Sequence, residues 1–344
     1  MKTASVVVRM LIGAASLLGA SYVDAKSTAD YELTAHYPLG APNFWDYLTY
    51  DPAAHRLYAS HITKVDVIDV NTGKTVGQIG PLKDSHGIAI VSSVGKGYAD
   101  SGDDGIVVVF DPSDLRILKT IKVSEDADGM VYDATSKQVL VVAGDSKNLT
   151  LIDVATDSVA KVIALPGKPE FLAVDGHGNA FINLSDVDSV AKVDLGGATV
   201  KATWKLEGCK DPHGLAYNGT TNRVFSGCAN ERMVIVDGDS GKNLANLPIG
   251  ERSDAVAVDP ARHRAFSANA DGTLTVVSET DKDVYIVQRT VPTFFGGRNM
   301  TIDPQTGTLF ISHGNMKLLS STRDVSKLKF GWDGLDVAVM KPND

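Results

Sequence analysis

HGIAIV (86–91) recurs along the chain as DGMVYD (128–133), EFLAVD (170–175), HGLAYN (213–218), DAVAVD (254–259) and RNMTID (298–303), and first appears more loosely as DYLTYD (46–51). These segments begin at Asp46, His86, Asp128, Glu170, His213, Asp254 and Arg298, 40 to 44 positions apart. Each is a short run of apolar and β-branched residues, the pattern of a buried strand. A strand-led unit of about 42 residues predicts a radial β-propeller with one blade per unit. The fold class expected is therefore all-β: seven four-stranded antiparallel blades. Equivalent positions of all blades face one axis, so seven scattered polar residues are expected to form a single ring.

Repeat three displays the unit most plainly, as GMVYD (129–133), QVLVVA (138–143), LTLIDV (149–154) and AKVIAL (160–165). The turns carry their own logic. Asp69 to Lys74 and Asp237 to Lys242 each place a glycine where a hairpin needs positive φ, and Asp-Pro pairs at 51–52, 111–112, 259–260 and 303–304 initiate turns. After TLFISH (308–313) and LDVAVM (335–340) the last repeat lacks a strand. YELTAHYPL (31–39) is available to supply it, and pairing the two chain ends in one blade closes the ring. Residues 26–344 are thus expected to form one domain, with 314–334 as an insertion in the last blade lying over one face.

The first 25 residues stand apart. Lys2 and Arg9 precede an apolar stretch, and Val23-Asp24-Ala25 fits a small-x-small cleavage site, so a secretory signal peptide is expected. The apolar stretch is too short to span a bilayer, and no later segment qualifies. The destination is then the periplasm or the exterior. The formal net charge of −9 grows one unit more negative when Lys2, Arg9 and Asp24 leave with the leader. An acidic chain is poorly suited to nucleic acid, whose binding rests on neutralised phosphates. It suits small polar or cationic ligands; no protein partner can be named.

Two cysteines, Cys209 and Cys228, fall at the same end of blade five. In an oxidising compartment a disulfide is expected, two free thiols or a two-cysteine metal site being the other options. In the chain-entropy description such a bridge contributes roughly 3 kcal/mol.

The strand starts HGIAI and HGLAY, with RLYAS (56–60) and VIDVNTGK (67–74), resemble the YVTN-type repeats of YncE-like exported bacterial proteins over nearly all of the chain beyond the leader. The resemblance implies a seven-bladed propeller in an exported protein. It implies no particular activity, although DNA binding has been proposed for some members.

A residue just ahead of an innermost strand sits at the channel mouth. Each of the seven could simply cap a loop or bond a neighbouring backbone. Collected at one opening, however, four carboxylates, two imidazoles and a guanidinium need compensation. Arg298 can neutralise Asp254 and Asp46. The arc His86, Asp128, Glu170 and His213 has no such partner and offers the mixed imidazole and carboxylate set of zinc or another first-row ion, or, through carboxylates alone, of calcium. A second tier is expected from His61, Ser101, Asn183, Asn269 and His313, with Trp45 and the run Phe294 to Gly297 as an apolar wall or as packing between blades one and seven, beside the ligand contacts Asp46, Asp254 and Arg298. The reading is a protein that binds a divalent metal or a small polar ligand at the mouth. The alternative is a metal-assisted hydrolase or lactonase with Glu170 or Asp128 as general base and Arg298 on the oxyanion. A protein-interaction or nucleic-acid-binding platform is the third reading. No quinone cofactor is expected, since Gly77 stands where the corresponding dehydrogenase motif has tryptophan.

Overall fold

Seven four-stranded antiparallel sheets follow one another around a ring. The computed structural model describes residues 31–41, 44–318 and 330–343; the expected leader and its cleavage site lie outside them. Blade three consists of Ala127–Asp133, Gln138–Ala143, Asn148–Asp153 and Ser158–Ala164, within two residues of the expected boundaries. The second and third of these strands are apolar on both faces because a neighbouring blade covers each face. The fourth is the outer edge, exposed at every position but Ile163. Among the described residues the helical pieces are four three-residue 3₁₀ turns, and no helix is long and apolar enough to cross a membrane.

The core is not one mass but seven layers, one at each blade-to-blade contact. Between blades three and four, Leu140, Leu149 and Leu151 pack on Leu172, Ile182 and Ala191. Between blades seven and one, Phe310, Val337 and Val339 pack on Leu48, Leu57 and Ile68. Each layer removes its own apolar surface from water, which lets a chain of this length remain a single ring.

Blade seven is assembled from both ends of the chain, as expected. Its strands run, from the axis outward, Asn299–Ile302, Leu309–Leu318, Phe330–Pro342 and Tyr31–Gly40. The N-terminal strand pairs antiparallel with Phe330–Pro342, from Tyr31 opposite Pro342 to Gly40 opposite Leu335. The insertion differs from expectation at its flanks. Residues 314–318 and 330–334 continue the hairpin, with Leu318 opposite Phe330, and 319–329 lie outside the described residues.

The turns follow the sequence logic. Gly73 and Gly241 take φ of +67° and +70°. At each Asp-Pro corner the aspartate accepts from a backbone N–H further along, as Asp51 does from Ala53 (3.0 Å) and Asp303 from Gln305 (3.0 Å). The bridge Cys209–Cys228 is formed, with S–S 2.06 Å and Cα–Cα 5.5 Å, and is buried between blades four and five.

The glycine after the first residue of a repeat has a packing reason. A Cβ at Gly129 would lie 2.7 Å from the Glu170 carbonyl oxygen, one at Gly214 would lie 2.8 Å from the Ala255 backbone, and one at Gly87 would overlap the Asp128 carbonyl. At these three positions the innermost strands therefore approach more closely than a side chain allows. Gly87→Ala is expected to destabilise the protein by about 1–3 kcal/mol, the usual range for overpacking. A urea unfolding midpoint equal to wild type would contradict that packing account.

Candidate functional site

The seven residues converge, held by left-handed turns just before the strands. Asp84, Asp126, Asp211 and Arg252, each two positions ahead of a ring member, have φ between 50° and 60°. Beneath the ring, polar side chains tie neighbouring blades together. Asn183 donates through Nδ2 to the carbonyls of His213 and Gly214 (both 3.0 Å) and accepts from Ser226 (2.8 Å). Ser60 donates to the Ser85 carbonyl. Thr49 donates to the Ile88 carbonyl at 2.7 Å.

Two arcs result. On the first, His86 Nδ1 meets Asp46 Oδ2 at 2.5 Å and Nε2 meets Asp84 at 3.3 Å, while the His86 backbone N–H donates to Asp100 at 2.7 Å. On the second, His213 Nδ1 lies 3.2 Å from Asp254 and 3.5 Å from Glu170, and Nε2 lies 3.3 Å from Asp211. Glu170 also accepts from Ser185 at 2.9 Å. Arg298 Nε reaches Asp254 at 3.2 Å with its side chain 45% exposed. Asn299 joins the arcs, its amide donating to both Asp46 and Asp254 at 3.0 Å.

These pairings change the expected charge balance. Burial opposes charge on both imidazoles, but the surrounding carboxylates outweigh it, pushing His86 up to about 11 and His213 up to about 9. Both are imidazolium at neutral pH, so each arc carries its own cation. Burial pushes Asp100 up to about 7 and holds Asp128 well above the carboxylate range, with Asp46 and Glu170 adding repulsion. Asp254 is buried too, yet His213, Arg298 and Asn299 together hold it below its ordinary value. One oxygen of Asp128, Oδ1, is buried without a hydrogen-bond partner.

The four expected metal residues separate between the arcs. Donor atoms of Asp46, His86 and Asp128 lie within 4.8 Å of one another, whereas Glu170 and His213 engage Asp254 and Ser185. The expected second tier divides as well. His61 is wholly buried against Asp66 (Nδ1–Oδ2 2.6 Å). Asn183 supports the His213 turn, and Asn269 donates to Thr273 and Thr275 within its own blade. These three serve the fold. Trp45 lines a cavity of about 380 Å³ with Phe44, Phe295, Arg252 and Arg298. A cavity of about 310 Å³, lined by Asp211, His213, Asp254 and the same two arginines, adjoins it. His313 sits apart in blade seven, stacked on Phe294.

Sequence reasoning missed two features one position beyond the ring. Asn299 is one. The other is the pair Tyr47 and Phe171, from blades on opposite sides of the axis, whose ring centroids are 4.6 Å apart. Burial first, then the carboxylates of Asp128, Asp46, Asp254 and Glu170, hold the Tyr47 hydroxyl well above its ordinary range. The aromatic pair fills the axis under the ring and turns the mouth into a bowl. The available signal was an aromatic residue where Gly87, Gly129, Gly214 and Ala255 stand in other repeats.

No family model matches the chain, and no curated protein matches it. Among solved structures it is similar to a chain of Kuenenia stuttgartiensis hydrazine synthase, with a TM-score of 0.68 and 16% identity, over 84% of this chain and 96% of that one. At that identity the likeness concerns the fold alone. Fold and mouth together define a seven-bladed β-propeller with a charged bowl on one face.

The histidine pairings make stability depend on pH. His213 holds its proton more tightly folded than unfolded, so its contribution is complete below about pH 6.5 and is lost as pH rises through about 9. Between those values wild type is expected to lose about 3 kcal/mol more stability than His213→Gln. Urea unfolding of both proteins across that range measures the difference; parallel curves would refute the imidazolium assignment.

Proposed function

We propose that this is an exported protein of the YVTN-repeat, YncE-like kind that binds a first-row divalent cation, zinc in the first instance, through Asp46, His86 and Asp128. The observation that carries the reading is Asp128 Oδ1, buried without a partner beside donor atoms of Asp46 and His86. A buried carboxylate oxygen with no hydrogen bond calls for a ligand. Imidazole with carboxylates is a donor set suited to zinc. The cation takes the place of the proton on His86, so binding releases a proton and strengthens as pH rises. The buried disulfide and the leader-like first 25 residues support export.

The two adjoining cavities favour an organic component as well. Arg252 and Arg298 line both, and the aromatic wall includes Phe44 (73% exposed) and Phe295 (59% exposed). No ion pair engages Arg252 among the described residues. A small carboxylate with an apolar body matches two guanidinium groups beside aromatic rings. It would lie on the second arc, beside His213 and Asp254, within the same bowl.

Zinc titration of tag-free protein by calorimetry tests the reading. Affinity is expected to rise at least tenfold from pH 6.5 to 8.5, with proton release visible as a dependence on buffer ionisation heat. Asp128→Asn should weaken binding at the mouth tenfold or more. Zinc binding by Asp128→Asn and by His86→Ala that matches wild type at both pH values would overturn the assignment.

A further inference from the structure

A second donor cluster lies outside the bowl, across the strands that close the ring. His36 is on the N-terminal strand, Asp336 on Phe330–Pro342 and His313 on Leu309–Leu318. His313 is directly opposite Asp336, and His36 is opposite Ala338, two residues along from Asp336. Side chains two apart on a strand share a face, so register alone sets all three on one side of blade seven. Donor atoms from the three residues lie within 4.8 Å of one another.

Two of these groups are buried without partners. His313 is 2% exposed, and its Nε2 has no hydrogen bond. Its Nδ1 faces the Gly314 carbonyl at 3.4 Å. A carbonyl can only accept, so the proton belongs on Nδ1 and the Nε2 lone pair is free. Metal-bound histidines are oriented in the same way, with the distal N–H directed at a carbonyl or carboxylate. Asp336 Oδ1 is likewise buried and unpartnered. Phe294 stacks on His313 (centroids 4.1 Å, 12°) and meets His36 edge-on at 4.9 Å, which restricts both imidazoles. Two orphaned acceptors beside a second imidazole form a donor set without a donor. A cation satisfies all three at once.

We propose that His36, His313 and Asp336 hold a first-row divalent ion, zinc in the first instance, as a clasp fastening the N-terminal strand to the rest of blade seven. Three protein ligands leave one coordination position, which water fills on the exposed His36 side. Calcium is disfavoured because two of the three donors are imidazoles. The clasp spans three adjacent strands, so the ion acts on ring closure and not on ligand capture at the bowl.

The test uses the tag-free mature chain, stripped with chelator, carrying His86→Ala and Asp128→Asn so that the mouth is silent. Zinc chloride is expected to bind this protein with one equivalent and to raise its thermal unfolding temperature. Cobalt(II) should give the visible absorption of a four-coordinate site. Adding His36→Ala, a substitution at an exposed position that leaves the core intact, should weaken zinc binding at least tenfold and abolish the thermal shift. Asp336→Asn should do the same. Equal zinc response with and without His36→Ala would overturn the clasp, as would no zinc response in the mouth-silent protein. Neither result touches the mouth, whose occupancy is read in the converse protein with His36→Ala alone.

Discussion

Everything at the mouth depends on one seam. The ring exists only if Tyr31–Gly40 pairs with Phe330–Pro342, which brings together positions some three hundred residues apart. Tyr31 donates to the Gly307 carbonyl at 3.2 Å across that separation, and its ring meets Phe266 of blade six edge-on. Closing so long a loop is entropically costly, and contacts of this separation form late. The mouth shares the constraint. Asp46 belongs to the first blade and Asn299 to the last, so the amide that joins the arcs cannot act until the ends have met.

Electrostatics then divide the bowl. Each histidine is bracketed by two aspartates, an arrangement that burial alone would forbid and that charge pairing restores. Burial, with repulsion from Asp46, pushes both Asp100 and Asp128 above their ordinary values. Arg252 and Arg298 lie together on one wall. The bowl is therefore polarised, carboxylate-rich toward blades two and three and guanidinium-rich toward blades six and seven.

The architecture was legible because a period carries it. A residue type repeated every forty-odd positions marks the axis, and alternation marks the strands. Blade boundaries, the seam and the disulfide all followed from that periodicity and from turn chemistry. The site was legible only in part. That the seven residues meet was readable; which of them touch was not, because neighbour choice depends on rotamers and on blade-to-blade distances of a few ångströms. His86 turned to Asp46 on the preceding blade, and His213 to Asp254 on the following one. Asn299, Tyr47 and Phe171 occupy a position where other repeats carry glycine or alanine, so their signal lay in a departure from the pattern and not in the pattern itself. His36 and Asp336 lay deeper still. Their meeting depends on the register between the first and last strands, which no repeat records.

The tilted pair Tyr47 and Phe171 gives the molecule a direction. Their contact across the axis narrows the path from the bowl to the far face. A ring of seven similar blades thus has a front and a back, with the charged mouth on one of them.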